Sequence, residues 1–197
     1  MFDWLVVGLG NPDPEYELSP HNIGFMVIDR LAERYGARVT RKESRALAGP
    51  ATIEGQRVLL AKPQTYMNLS GASVKPLLEK NDLTPARLVV VYDDHDLPWT
   101  ALRIRKAGSA GGHHGMESVI GCIGTSEFTR VRLGIDPGGV KRATPAYLLK
   151  PLRREQLKEL DGFLDYAVQA VASIISEGAE KAMTRFNRRA QGENEDE

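Results

Sequence analysis

The 197-residue chain is 42% hydrophobic, 26% charged and 7% aromatic, with 19 Gly and 11 Pro, and that size fits one α/β domain with a self-sufficient core. Basic and acidic residues balance at 26 each, but Leu97 to Arg154 holds ten basic against three acidic side chains. This local excess suits a phosphate-bearing ligand and equally suits solvated surface arginines. The single cysteine, Cys122, excludes an intrachain disulfide and a thiolate metal cluster. Asp3 and the interrupted apolar stretch Leu5 to Leu9 argue against a signal peptide, and no apolar run approaches the ~18 residues of a membrane span. A cytoplasmic protein without membrane attachment is expected.

In chain order, Trp4 to Leu9 reads as a buried strand that turns at Gly10-Asn11-Pro12. Ile23, Val27, Ile28, Leu31, Ala32 and Tyr35 recur at helical spacing and Gly36 ends the helix, so His21 and Asn22 stand at its start. Ala46 to Ile53 and Arg57 to Ala61 flank Glu54-Gly55-Gln56 as a hairpin, and Lys62-Pro63 closes it. A helix is expected from about Ser70 to Lys80, kinked or delayed by Pro76. Leu88 to Tyr92 is an apolar strand leading into Asp93-Asp94-His95-Asp96. Leu102 to Arg105 and Arg130 to Ile135 are alternating strands that set Arg103 with Arg105, and Arg130 with Arg132, on common faces. Between them lie the glycine-rich loop Gly108 to Gly115, with His113 and His114, and a helix to about Cys122. Gln156 to Phe186 has the pattern of a long amphipathic helix broken at Gly178, and residues 191–197 form an acidic tail expected to be disordered. The alternation predicts a three-layer α/β domain over residues 1–190 around a mixed β-sheet, with ligands gathered beyond the strand carboxyl ends.

Three constellations bear on chemistry. Gly8-x-Gly10 begins like a dinucleotide fingerprint, but Asp13 replaces the third glycine and Pro12 and Pro14 replace the helix that would receive a pyrophosphate. Asp93, Asp94 and Asp96 could hold Mg²⁺ or form an ordinary polar loop, while the four histidines lack zinc spacings. His21, Asn11, Asn68 and Asp93 come from separate segments, each at a strand end or helix start. A histidine held by a carboxylate can take a proton from water while carboxamides orient the reactants. The alternative is a histidine serving only as a surface helix-start residue.

The strings VVGLGNP (6–12) with Tyr16, HNIGF (21–25), KPQTYMNLSG (62–71), DDHDLP (93–98), GSAGGHHG (108–115), RVRLGI (130–135) and RFN (185–187) together resemble the bacterial-type peptidyl-tRNA hydrolase family. The resemblance spans nearly the whole chain in the family's order. It implies a monomeric α/β globule around a twisted mixed sheet with a C-terminal helical segment, and no metal or organic cofactor. The implied reaction is hydrolysis of the ester between a peptide and the tRNA 3′ ribose, which recycles tRNA from stalled or aborted translation. By resemblance His21 is the general base, Asp93 its orienting carboxylate, and Asn11 the residue that separates peptidyl from free aminoacyl esters. Asn68 and Met67 fall where the peptide is positioned, and Tyr16 and Tyr66 fall where the peptide or the 3′ CCA end is lined. Arg103, Arg105 and Arg132 fall where acceptor-stem phosphates are gripped. The chain departs from the family pattern in Ser19-Pro20, in Trp99-Thr100 where a glycine is usual, at Asp136, and at His114, where the family carries a neutral asparagine among its substrate contacts. A homologue that binds RNA with weakened catalysis, and a metal-dependent phosphoesterase using Asp93, Asp94 and Asp96, remain as rival readings.

Overall fold

A computed structural model describes residues 1–139 and 143–187. The expected acidic tail at 191–197 lies outside the described residues, as do Lys141 and Arg142 of the basic stretch. Seven strands form one mixed sheet: β1 (Trp4–Gly8), β2 (Arg41–Glu43), β3 (Ala46–Ile53), β4 (Gln56–Pro63), β5 (Leu88–Pro98), β6 (Leu102–Arg105) and β7 (Thr129–Asp136). Their order is β2-β3-β4-β1-β5-β7-β6, with β4, β1, β5 and β7 parallel and the two edges antiparallel. The helices are α1 (Ile23–Arg34), α2 (Gly71–Lys80), α3 (His114–Ile123), α4 (Pro145–Leu148), α5 (Arg154–Glu177) and α6 (Ala179–Phe186).

Alternation along the strands splits the core into two layers. Val6, Val89, Val91, Val131 and Leu133 pack with Ile28, Leu31, Val168, Val171 and Phe186 from α1, α5 and α6. Leu5, Val7, Val90 and Tyr92 pack on the other face with Val74, Leu77, Met116 and Val119 from α2 and α3. The expected three-layer architecture and C-terminal helical segment are therefore present. Gly178, at φ 91°, separates α5 from α6 where the periodic pattern broke. The Glu54-Gly55 hairpin uses positive φ at both turn residues, 48° and 78°, the conformation that matches the twist of two-residue hairpins.

Three details refine the sequence-based expectation. Helix α2 spans Gly71–Lys80, close to the expected bounds, with Pro76 in its interior rather than marking a late start. Strand β5 continues past Tyr92 through its acidic run to Pro98, because β7 pairs alongside it and a register shift falls between Asp94 and Pro98. β2 and α4 carry no clear periodic signal and owe their places to β3 and to Tyr147, whose hydroxyl donates to the Ile135 carbonyl and accepts from Gln156.

Two glycines decide where α1 sits. A Cβ on Gly8 would lie 2.1 Å from the Gly24 carbonyl oxygen, and one on Gly24 would lie 2.5 Å from the Val91 carbonyl oxygen. The first turn of α1 thus rests directly on the backbone of β1 and β5. That contact carries His21, three residues earlier, to Asp93 midway along β5.

Candidate active site

The parallel strands deliver their polar ends to one rim. Asn11 follows β1, and His21 lies in the 3₁₀ turn Pro20–Asn22 ahead of α1. Asn68 lies in the 3₁₀ turn Met67–Leu69 after β4, Asp93 is in β5, and His113 precedes α3. Asp93, 2% exposed, is the hub. Its Oδ2 meets His21 Nδ1 at 2.8 Å and its Oδ1 meets His113 Nε2 at 2.9 Å.

The tautomers follow from the surrounding donors. His113 caps α3: its Nδ1 accepts the Met116 backbone N–H at 3.2 Å, so its proton sits on Nε2 and is donated to Asp93. Asp93 accepts on both oxygens, so His21 donates through Nδ1 and keeps its lone pair on Nε2. Burial alone would push the Asp93 carboxyl up, but the charges of His21 and then His113, with their hydrogen bonds, hold it well below the usual carboxylate range. Burial pulls the His21 imidazole down; the Asp93 charge and hydrogen bond more than reverse this and leave it above histidine's ordinary value. The result is a strengthened base aimed by a permanent anion.

Asn22 joins Asn11 to this group. Its Oδ1 accepts the Asn11 N–H at 2.7 Å and its Nδ2 donates to the Asn11 carbonyl at 2.9 Å, a ladder-like pairing that fixes the loop after β1. The Asn11 side-chain oxygen is buried with no hydrogen-bond partner among the described residues. Met67 is buried, its sulfur 2.6 Å from where a Cβ on Gly115 would sit, whereas Asn68 is exposed and Tyr66 is 69% exposed. Tyr16 is half-buried and its carbonyl accepts from both the backbone and the hydroxyl of Ser19. None of these side chains makes a hydrogen bond to His21 or Asp93 among the described residues. His114 turns outward, 78% exposed, with Nδ1 3.3 Å from Glu117.

His21, Asp93 and His113 place their ligand-capable atoms within 4.8 Å of one another. Both ring nitrogens that face Asp93 carry protons, however, so the group is a hydrogen-bonded chain rather than a set of lone pairs converging on an ion. The acidic run is likewise divided: Asp94 pairs with Arg132 at 2.6 Å and accepts the Asp96 N–H, and Asp96 lies 3.6 Å from His95.

Beside Asp93 opens a cavity of about 240 Å³ lined by Arg105, Arg130, Arg132 and the loop Gly108 to Gly111. Arg130 is 1% exposed, lies 4.4 Å from the Phe128 ring, and donates to the Ser109 and Ser126 carbonyls; its Nε has no hydrogen-bond partner among the described residues. Arg103, grouped with the others by sequence, is engaged elsewhere: it donates to the Asn187 carbonyl at 2.7 Å. Asn187 also pairs with both backbone groups of Ile104, so the closing RFN string pins the C-terminal helices to β6. A longer hollow of about 490 Å³ begins at Asn11 and Asn22 and runs along α1 past Phe25 and Met26.

Residues 5–195 match the sequence family described as peptidyl-tRNA hydrolase. The chain belongs to this family. It is 57% identical over 194 residues to the peptidyl-tRNA hydrolase of Solibacter usitatus, covering 98% of this chain and 99% of that one. It is 45% identical over 185 residues to that of Carboxydothermus hydrogenoformans, covering 94% and 98%. A crystal structure of peptidyl-tRNA hydrolase from Acinetobacter baumannii superposes with a TM-score of 0.86 at 32% identity, covering 93% of this chain and 94% of that one. His113 and Asn22 are the residues that sequence reasoning passed over. A helix-capping role for His113 and a backbone-pairing role for Asn22 leave no periodic trace, though both stand in strings that carry the family resemblance.

Proposed function

We propose that this member of the peptidyl-tRNA hydrolase family cleaves the ester between the carboxyl group of a peptide, or of an N-blocked amino acid, and the tRNA 3′ ribose. His21 Nε2 takes a proton from water as the oxygen attacks the ester carbonyl; collapse of the tetrahedral intermediate breaks the bond to the ribose oxygen, which recovers that proton from His21. Asp93 stays ionised throughout and stabilises the imidazolium. The observation that carries this reading is the commitment of His21 Nδ1 to Asp93, which leaves one ring nitrogen with a lone pair.

Asn11, held by Asn22, supplies an unpartnered carboxamide oxygen suited to an N-blocked amide N–H, which a free amino ester lacks. Asn68 and Met67 position the peptide, and Tyr16, Tyr66 and His114 line the rim that receives the CCA end. Arg105 and Arg132, with Arg103 further along β6, bind acceptor-stem phosphates, and the cationic cavity beside Asp93 supports that assignment. Neither a metal ion nor an organic cofactor has a step in this reaction. The substrate is made where translation occurs, so the protein acts in the cytoplasm, as a monomer, with no membrane partner.

The test pairs N-acetyl-aminoacyl-tRNA with the same tRNA carrying an unblocked amino acid, each in EDTA. Cleavage of the first and sparing of the second is expected. Tight tRNA binding without cleavage would favour the RNA-binding reading, and loss of cleavage in EDTA would favour the metal-dependent one.

A further inference from the structure

On β6 and β7 four arginines form a two-by-two block, Arg103 opposite Arg132 and Arg105 opposite Arg130. Like charges directly across an antiparallel pair repel. Carbonyls relieve Arg103, Arg105 and Arg130, and among the described residues Asp94 is the one carboxylate in ion-pair contact with any of the four. Asp94 is 8% exposed and is itself fixed, because its second oxygen accepts the Asp96 N–H at 2.8 Å. Among the described residues it grips Arg132 through Nε alone, at 2.6 Å, and neither Nη group has a hydrogen-bond partner there, with Arg132 in the wall of the 240 Å³ cavity.

We propose that Asp94 is a positioning residue: it aims the Arg132 fork at a substrate phosphate and sets that phosphate in register with the hydrolytic pair. The proposal rests on the ester-hydrolase reading above. Asp93 and Asp94 are consecutive in β5; the first turns to His21 and His113 and the second to Arg132. One peptide unit therefore separates the group that orients the base from the group that orients the phosphate clamp. An aimed guanidinium loses less freedom on binding than a free one and presents two parallel donors.

The sign of the effect separates this role from simple charge balance. Asp94→Ala makes the surface more positive, so charge counting predicts tighter binding of a polyanion. Aiming predicts the reverse: KM for N-acetyl-aminoacyl-tRNA rises about tenfold, the size of one lost charge-assisted contact, while kcat moves far less. Because Asp94 acts through Arg132, Asp94→Ala should raise KM less than about twofold further in an Arg132→Ala background. Asp94→Asn, which keeps an acceptor for Nε–H, should restore most of the loss. An unchanged or lowered KM in Asp94→Ala, or an equal penalty in both backgrounds, would overturn the proposal. Should Asp94→Ala fail to fold, Arg132→Lys decides: it keeps the charge without the fork, and an unaltered KM would refute aiming. If the wild type binds tRNA without cleaving it, the hydrolase reading fails instead, and the same cycle is then read in tRNA dissociation constants.

Discussion

Asp93→Asn should damage this protein more than its near-identical shape suggests. The carboxylate accepts from two imidazoles, at 2.8 and 2.9 Å, whereas a carboxamide has one oxygen and one NH₂. His113 settles which way the amide turns: its Nδ1 is held by the Met116 N–H, so its Nε2–H needs the oxygen. The NH₂ then faces His21 Nδ1 and drives the His21 proton onto Nε2, where the base should be. The loss is general-base catalysis, about 10²- to 10⁴-fold in kcat, or roughly 3–5 kcal/mol of barrier. Asp93→Ala leaves His21 free to take either tautomer and should retain at least about tenfold more activity than the asparagine variant. In Asp93→Asn with His113→Ala, the amide can turn its oxygen to His21, and activity should partly return. The assay is single-turnover cleavage of N-acetyl-aminoacyl-tRNA at saturating enzyme. Asp93→Asn as active as Asp93→Ala, or no gain on removing His113, would refute the tautomer argument.

The same pair sets a pH signature on stability. His21 is raised in the folded state, so its contribution is complete below its unfolded value of ~6.5 and is lost as pH rises through the folded value; Asp93 is depressed, so its contribution is present above ~3.9 and is lost as pH falls through its folded value. The difference in urea unfolding free energy between wild type and His21→Ala should therefore be largest at about pH 4–6.5 and shrink at alkaline pH. Thr100 holds a φ of 72°, a left-handed conformation costly for a β-branched side chain, so Thr100→Gly should stabilise by about 1 kcal/mol and raise Tm by about 2–4 °C. Gly24→Ala would set a methyl 2.5 Å from the Val91 carbonyl oxygen, a backbone atom with no rotamer to yield. It should cost about 1–3 kcal/mol in denaturant titrations and lower kcat by displacing His21.

Elements with one apolar face or a wholly apolar run were legible in the sequence: β1, α1, the β3–β4 hairpin, the first half of β5, β6 and β7. The polar second half of β5 was not, because strand pairing with β7 extends it rather than any preference of Asp93 to Asp96. Pro76 shows the same limit in reverse, since burial of Val74, Leu77 and Leu78 holds α2 through a residue that breaks isolated helices. At the site, placement at strand ends and helix starts put His21 and Asp93 forward as a candidate pair, but a surface histidine is the commoner outcome of such placement, and only the family resemblance assigned them their roles. Nothing in the residue pattern shows that His113 shares Asp93, since this depends on how a glycine-rich loop enters α3. Arg130 and Arg132 share a face, as alternation required, yet one is buried against Phe128 and the other is clamped by Asp94. Alternation fixes the face of a strand on which a side chain lies and says nothing about what covers it.

His21 as the water-activating base is tested most directly by single-turnover hydrolysis of N-acetyl-aminoacyl-tRNA, wild type against His21→Ala, in EDTA and with tRNA binding measured on the same preparations. The account predicts a rate loss of about 10²- to 10⁴-fold at nearly unchanged tRNA affinity. Cleavage by His21→Ala at the wild-type rate would contradict it.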